Sequence, residues 1–408
     1  MRTTTRRTAR VALAGAVAGA ALLAAACVPA PPEPANGTSA NDAPRAADAA
    51  YTVPGPHSVG VTTLQLSDRK VEVWYPADTA STAGRPRDTY NFLDVLPANF
   101  RDLVNSIDPT LRDKVNFPDV ANPVVADAVV PAYRDVAADA GGPFPLVLFS
   151  HGAASYRQQS TFLTTHLASW GFVVASPDYL ERGLTGVLGE PPANPRPDTT
   201  VAAEAIDAVR ARSASGGNVL SSAVDPTRVF PVGHSAGGFE SQRLLERDDV
   251  PSAVSLAAGI STLQLVNMTA PVLPAGKAVA WIGGRNDGIA AIDTLRTGFE
   301  YTPGERRLLE LAGAGHNNGF TDICTVGGGG VAALARAINL PVPDSLLALG
   351  DDGCTVGPFK PSVEVWPEVR HFVTAELRYR SGLDAQPVGL GDQVLPSFDD
   401  VLVYRHNP

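Results

Sequence analysis

The chain has 408 residues, of which 44% are hydrophobic and 18% are charged, and its formal net charge is −10. This composition supplies enough apolar side chains for a large core and excludes an intrinsically disordered protein. The acidic balance argues against nucleic acid as a partner, because phosphate backbones are anionic and the sequence contains no basic stripe.

The first 27 residues have the pattern of a bacterial export signal. Residues 1–10 are basic, and the apolar run Val11–Ala26 is short for a membrane span. The Arg6-Arg7 pair is a weak feature of twin-arginine export signals. The run ends in Leu23-Ala-Ala-Ala-Cys27, which resembles a lipobox except that Leu lies one position early. We therefore expect an exported protein, a cell-envelope lipoprotein anchored to the membrane through Cys27, with an ordinary cleaved signal peptide as the alternative.

The mature chain is predicted to begin with a tether. Residues 28–50 are rich in Pro, Ala, Asn and Asp and contain hardly any large apolar side chain. A segment of this kind cannot bury a core, so we expect a flexible linker. Residues 51–408 should then fold as a single domain. Within it, residues 78–142 carry scattered Pro and Asp with short helical patterns around Phe92–Val104, which indicates an insertion that packs over the sheet and contributes to a cleft.

Short β-rich runs alternate with helical patterns through the rest of the chain. The predicted strands are Val59–Ser67 and Val71–Tyr75, as a pair at one sheet edge, then Pro145–Phe149, Phe172–Ser176, Val229–Val232, Ala253–Ala258, Ala278–Ile282 and Arg307–Leu311. The predicted helices are Gln158–Trp170, Thr200–Ala214, Ala236–Leu245, Ala290–Gly298 and a closing helix, Val363–Arg380. This alternation predicts an α/β fold with a doubly wound, mostly parallel sheet flanked by helices.

The segment Gly233-His-Ser-Ala-Gly237 lies between a short apolar strand and a helix and matches G-x-S-x-G. A sharp strand-to-helix turn lifts the Ser hydroxyl out of the sheet, and the flanking glycines relieve crowding there. We therefore predict Ser235 as a nucleophile; a Gly-rich turn with a capping Ser is the alternative.

A Ser hydroxyl needs a base to remove its proton, and in this arrangement an acid and then a His follow the Ser along the chain. His316 follows the strand at Arg307–Leu311, whereas His371 and His406 have the positions of packing or surface residues. Asp287 follows the strand at Ala278–Ile282 and is the predicted acid. Asp293 is its rival, one turn into the next helix.

Two backbone N–H groups are predicted to form an oxyanion hole. One belongs to Ala236, directly after the nucleophile, and the other to Ala153, in the loop after Ser150-His-Gly152. His151 and His234 flank this region and are predicted to be turn and support residues.

Cys324 and Cys354 remain once Cys27 is assigned to the anchor. Outside the cytoplasm such a pair indicates a disulfide, here one that would hold the segment after His316 near the cleft; two buried free thiols are the alternative. The three cysteines are too dispersed for a zinc site, and no metal ligand set is predicted.

Several segments together resemble a known family. Gly60-Val-Thr-Thr63, Val71–Pro76, Pro145–Gly152 and Leu167–Val174 are similar to bacterial relatives of platelet-activating-factor acetylhydrolase, which are grouped with dienelactone-hydrolase-like proteins. The spacing from Gly152 to Gly171 and the segments around Asp287 and His316 also resemble cutinase-like polyester hydrolases. The resemblance implies an α/β-hydrolase fold and hydrolysis of carboxylic esters through an acyl-enzyme, without a metal or organic cofactor.

Three positions narrow the expected substrates. Ser235 stands where dienelactone hydrolases have a Cys nucleophile, and Ala153 and Ala236 replace an aromatic residue and a Met usual in the polyester hydrolases. The resemblance therefore favours short- or medium-chain or lipid-derived esters. Amide, lactone or thioester hydrolysis with the same triad stays open, as does a non-catalytic surface-binding lipoprotein, although a binding module has no chemical need for the three residues in this order.

Overall fold

The computed structural model describes residues 49–107, 116–117, 132–354 and 357–407. Cys27, the predicted signal segment and all but the last two residues of the predicted tether lie outside these ranges. Within them, the structure contains no helix that combines the length and the apolar character needed to cross a bilayer.

A ten-stranded sheet forms the centre of the described fold. The strands are, in chain order, β1 (Ser58–Gln65), β2 (Lys70–Ala77), β3 (Tyr90–Asn91), β4 (Asn116–Phe117), β5 (Ala132–Arg134), β6 (Phe144–Ser150), β7 (Val173–Pro177), β8 (Val224–His234), β9 (Ser252–Leu256), β10 (Ala278–Gly284), β11 (Arg306–Leu311) and β12 (Val401–Asn407). The sheet order is β12-β11-β10-β9-β8-β6-β7-β2-β1-β5, and β3 pairs with β4 in a separate ribbon. The six neighbouring strands β11, β10, β9, β8, β6 and β7 are parallel to one another. Strand β2 runs antiparallel to both of its neighbours, and β12 runs antiparallel to β11.

Helices cover both faces of this sheet. They are α1 (Thr79–Thr82), α2 (Ala98–Ile107), α3 (Thr161–Ser169), α4 (Leu184–Val187), α5 (Asp198–Ala214), α6 (Ala236–Arg243), α7 (Thr262–Val266), α8 (Ile292–Tyr301), α9 (Val331–Ala337), α10 (Asp344–Asp351) and α11 (Ser362–Ser381). Strand β6 shows why two layers form: Val147 and Phe149 join the core under α3 and α11, while Leu146 and Leu148 join the core under α5 and α8. Because successive strand residues point to opposite faces, an apolar run of this kind is buried on both sides. The α/β-hydrolase architecture is thus confirmed.

The predicted strands and helices are present, and several of their boundaries differ by a few residues. The sequence did not predict two strands of the sheet, β5 and β12, or the short helices α1, α4, α7, α9 and α10. The sheet extends beyond the predicted β1–β2 edge pair through β5, and β12 follows the helix that was predicted to close the domain. The three residues of β5 are too few to show a period. Helix α3 begins at Thr161 rather than Gln158 because the distant Asp322 carboxylate accepts the N–H groups of Thr161 and Phe162, at 2.6 and 3.1 Å.

The segment predicted as an insertion, residues 78–142, lies partly in the described ranges. Its 3₁₀ turn Phe92–Val95 and helix α2 form a small apolar core with Tyr156 and Val326. The side chains that this segment contributes include Phe92, Leu96, Phe100 and Val104. The four-residue spacing places Phe100 and Val104 on one face of α2. This part of the insertion packs beside the loops that follow β6 and β11.

Candidate active site

Ser235 occupies a strained turn between β8 and α6. Its φ of 55° and ψ of −120° lie where residues other than glycine are uncommon. The flanking glycines are required sterically: a Cβ on Gly233 would lie 1.9 Å from the carbonyl oxygen of Gly237, and a Cβ on Gly237 would lie 1.9 Å from that of Ser150. The G-x-S-x-G pattern therefore has the geometry predicted from the sequence. Ser235 also lies at the carboxyl end of β8, next to β6, and from these two strands the chain proceeds toward opposite edges of the sheet. Such switch points in the strand order form crevices at the carboxyl ends of the strands.

His316 and Asp287 complete a hydrogen-bonded series with Ser235. His316 Nε2 lies 2.9 Å from Ser235 Oγ, and His316 Nδ1 lies 2.9 Å from Asp287 Oδ2. The other carboxylate oxygen of Asp287 accepts the N–H groups of Ile289 and Ala290, at 2.8 and 2.6 Å. Both His316 and Asp287 are almost fully buried. The carboxylate is thus held by two backbone donors with one oxygen aimed at the imidazole.

Asp293, the alternative acid, lies elsewhere. Its carboxylate is largely exposed and pairs with Arg296 on the same helix, at 2.9 Å. The structure therefore brings Asp287, and not Asp293, to His316.

This arrangement fixes the chemistry available to the imidazole. With its Nδ1–H donated to Asp287, neutral His316 presents the lone pair of Nε2 to the Ser235 hydroxyl. In that tautomer the ring can take a proton from Ser235, and the imidazolium that results is stabilised by the buried carboxylate.

The two predicted oxyanion donors flank the nucleophile. Ala236 is the first residue of α6, where helix geometry leaves the N–H without an intrahelical acceptor. In the loop after β6, Gly152 N–H donates to Gln159 Oε1 at 2.7 Å and Ala154 N–H donates to the Arg182 carbonyl at 2.7 Å. Ala153 lies between them, lines the cleft and has no acceptor for its N–H among the described residues. Its role as an oxyanion donor stays a prediction.

A hydrogen-bonded relay joins this loop to the base loop. Gln159 Nε2 donates to His234 Nδ1 at 2.9 Å, and His234 Nε2 donates to the His316 carbonyl at 2.8 Å. Because Gln159 Oε1 also accepts the Gly152 N–H, one side chain links both loops. Burial, reinforced by the neighbouring His316, holds the pKa of His234 well below its ordinary value. His234 is therefore a neutral support residue, as predicted, whereas Gln159 was missed.

His151 stabilises the loop that follows β6. Its Nδ1 donates to the Gly152 carbonyl at 2.8 Å, and its Nε2 accepts the Tyr179 N–H at 3.0 Å. Arg182 donates to the carbonyl groups of His151 and Gly152. Burial and then the Arg182 charge hold the pKa of His151 well below its ordinary value, so this histidine also stays neutral.

Asp352 is a second residue that the sequence did not reveal. Its Oδ1 accepts the backbone N–H of His316 at 2.6 Å, and its Oδ2 accepts that of Gly288 at 2.9 Å. Its carbonyl accepts the backbone N–H of Asn317 at 3.0 Å. One side chain thus joins the loop of the acid to the loop of the base. The available signal was its position two residues before Cys354.

The structure pairs Cys324 with Cys354 in a disulfide, in agreement with the sequence prediction. The loop that the disulfide closes contains the short helices α9 and α10. Its end also carries Asp352, whose contacts with Gly288 and His316 connect it to the acid and base loops. The disulfide therefore lies beside the predicted base loop.

A cleft opens at Ser235 and His316. It holds about 960 Å³ of empty space, part of which is open to solvent. The insertion contributes one part of its lining and the disulfide-closed segment another. Within the described ranges, no group of three or more His, Cys, Asp or Glu side chains has the arrangement of a metal site.

Comparison with known proteins gives one family match. Residues 47–186 match the model of platelet-activating factor acetylhydrolase, isoform II. This segment of the chain is therefore similar to the platelet-activating factor acetylhydrolase family of α/β-hydrolases. The matched segment contains the loop with Ala153, whereas Ser235, Asp287 and His316 lie beyond it. The match supports a hydrolase of the lipase or esterase type. None of the curated proteins matches the chain.

Proposed function

We propose that the protein is an exported serine hydrolase of carboxylic esters, with Ser235 as nucleophile, His316 as general base and Asp287 as the acid that orients it. The observation that carries this proposal is the unbroken series of 2.9 Å contacts from Ser235 Oγ through His316 to Asp287, at a strained turn beside an open cleft. The lipase or esterase type of the matched family agrees with it.

The proposed reaction proceeds in two halves. Ser235 Oγ attacks the ester carbonyl carbon while its proton moves to His316 Nε2, and the N–H groups of Ala153 and Ala236 stabilise the oxyanion. The carbon–oxygen bond to the alcohol then breaks, and the alcohol leaves with the proton from His316. Water then attacks the carbonyl carbon of the acyl-Ser235 ester while its proton moves to His316 Nε2. The bond from that carbon to Ser235 Oγ breaks, His316 returns the proton to Oγ, and the acid is released. These steps use only protein groups and water.

Export is part of the same proposal. It is supported by the basic, apolar and lipobox-like order of residues 1–27 and by a disulfide, which suits an oxidising compartment. Labelled lipid should enter the wild-type protein and not Cys27→Ala; an unlabelled wild type would rule out the anchor and leave a cleaved signal peptide.

Hydrolysis of p-nitrophenyl esters by the mature protein tests the catalytic roles. We expect Ser235→Ala to lower kcat by roughly 10⁴-fold or more, because the nucleophile and its base act as a unit. Ser215→Ala, an equal change at an exposed residue directly after α5, is the matched control and should retain wild-type rates. A fluorophosphonate probe should label the wild type and not Ser235→Ala. A wild type that neither hydrolyses esters nor takes the label would overturn the proposal in favour of a binding protein.

A further inference from the structure

The cleft at Ser235 divides into a polar end and an apolar body. The side chains with polar atoms that line it are Ser155, Tyr156, Gln159, His234, Ser235, His316 and Asn317. Apart from Asn317, these belong to the two loops around the nucleophile or to the relay that joins them. Among the described residues, no Asp, Glu, Lys or Arg lines the cleft. The body therefore offers no partner for a charged group, and burying one there would be costly.

Two separate segments form most of the apolar body, and Leu184 and Leu188 at α4 add to it. The first is the insertion, which contributes Phe92, Leu96, Phe100 and Val104. The second is the disulfide-closed segment, whose lining side chains include Leu334 and Ile338. Partly buried side chains of the second segment pack against the first, so the two walls also touch. Both walls stand outside the central sheet, and neither supplies a residue of the proposed triad.

We propose that this body is a subsite for one unbranched alkyl chain of the ester, with its usable length set by Phe100 on one wall and Leu334 on the other. The inference rests on the proposed function. An apolar cleft that begins at the nucleophile and contains no charged side chain suits a saturated chain, whereas a charged headgroup has to remain outside it. This alkyl chain can belong either to the acyl group or to the alcohol of the ester.

Chain length gives the first test. Each methylene that enters the cleft should raise kcat/KM about fourfold, the equivalent of one buried methylene, until the cleft is filled. One series of monomeric p-nitrophenyl esters varies the acyl chain from acetate upward, and a second series of alkyl acetates varies the alcohol. A rise with length in one series supports the subsite and assigns it to that side of the ester. A maximum at the shortest member of both series would overturn the subsite.

Variants on the two walls give the second test. Leu334→Trp should move the optimum to shorter chains and Phe100→Ala to longer ones. Ala337→Trp and Leu103→Ala are the matched controls. Ala337 lies on the exposed side of α9, and Leu103 lies on α2 outside the cleft lining, so neither change should move the optimum. Thermal melting checks that each variant folds, and Leu334→Trp keeps the test valid if Phe100→Ala does not.

The two proposals fail in different ways. Equal changes at every chain length in both wall variants would overturn the subsite, while acetate hydrolysis and fluorophosphonate labelling would still support the esterase. Loss of labelling and of acetate hydrolysis in the wild type would instead overturn the proposed function.

Discussion

Replacing Asp352 by Asn perturbs the connection between the acid loop and the base loop while preserving side-chain size. The carboxylate accepts the N–H of Gly288 with one oxygen and that of His316 with the other. An amide has a single oxygen, so one of the two N–H groups would face an NH₂ group instead. Asp352→Asn is therefore expected to loosen one loop relative to the other.

The size of the effect follows from these two contacts. A hydrogen bond to a charged group contributes about 1.5–3 kcal/mol, so one lost bond should lower the free energy of unfolding by roughly that amount. Catalysis should suffer more than stability, because a displacement of about 1 Å at a catalytic group can reduce the rate on the order of 10²-fold. We expect kcat/KM to fall about 10²-fold, mainly through kcat, since Asp352 does not line the cleft.

The assay compares Asp352→Asn with Asp351→Asn. The control removes the same charge one residue earlier, from a surface pair with Arg336, and should change kcat less than threefold. Rates of inactivation by a fluorophosphonate should fall in parallel with kcat for Asp352→Asn, since both report the Ser235–His316 geometry. Wild-type kcat and inactivation rate in a folded Asp352→Asn protein would refute the positioning role. Equal losses in both variants would show that charge, and not the shared carboxylate, matters.

Two further predictions concern stability. The double variant Cys324→Ser/Cys354→Ser should lower the free energy of unfolding by roughly 3–4 kcal/mol, the chain-entropy value for a closed loop of about 30 residues; an unchanged denaturation midpoint would contradict it. Burial, with Asp198 nearby, raises the pKa of Glu240 to about 7. The folded state thus binds this proton more tightly than the unfolded chain does, and stability is lost as the pH rises from about 4.5 to 7. Glu240→Gln should therefore raise the free energy of unfolding at pH 8 by on the order of 1–3 kcal/mol and have little effect at pH 4.5; equal gains at both pH values would contradict this.

The three proposed catalytic residues could be predicted because each carries a local signal. Ser235 lies in a G-x-S-x-G turn, and Asp287 and His316 each follow the end of an apolar strand. Because the carboxyl ends of parallel strands meet at one edge of the sheet, the positions of these residues after strand ends were enough to predict that they lie close together. The choice of Asp287 over Asp293 also depended on this rule.

The supporting residues could not be predicted in the same way. Gln159 and Asp352 act through contacts with segments that lie far from them along the chain. The one local signal is the position of Asp352 two residues before Cys354. The second cleft wall was missed because α9 and α10 have only seven and eight residues, too short to give a clear helical period. From the sequence, that segment was recognisable only as the interior of a disulfide loop.

The disulfide loop also bears on how such an enzyme can diversify. The Cα atoms of Cys324 and Cys354 are 4.7 Å apart, so the chain leaves and re-enters the fold at nearly one point. Changes of length between them need not alter the sheet, and doubling such a loop adds only about 0.6 kcal/mol of closure entropy. Insertions or deletions around α9 and α10 can therefore remodel one cleft wall while Ser235, Asp287 and His316 are inherited unchanged. Mutations between the two cysteines can therefore change which substrates fit the cleft without changing the proposed catalytic residues.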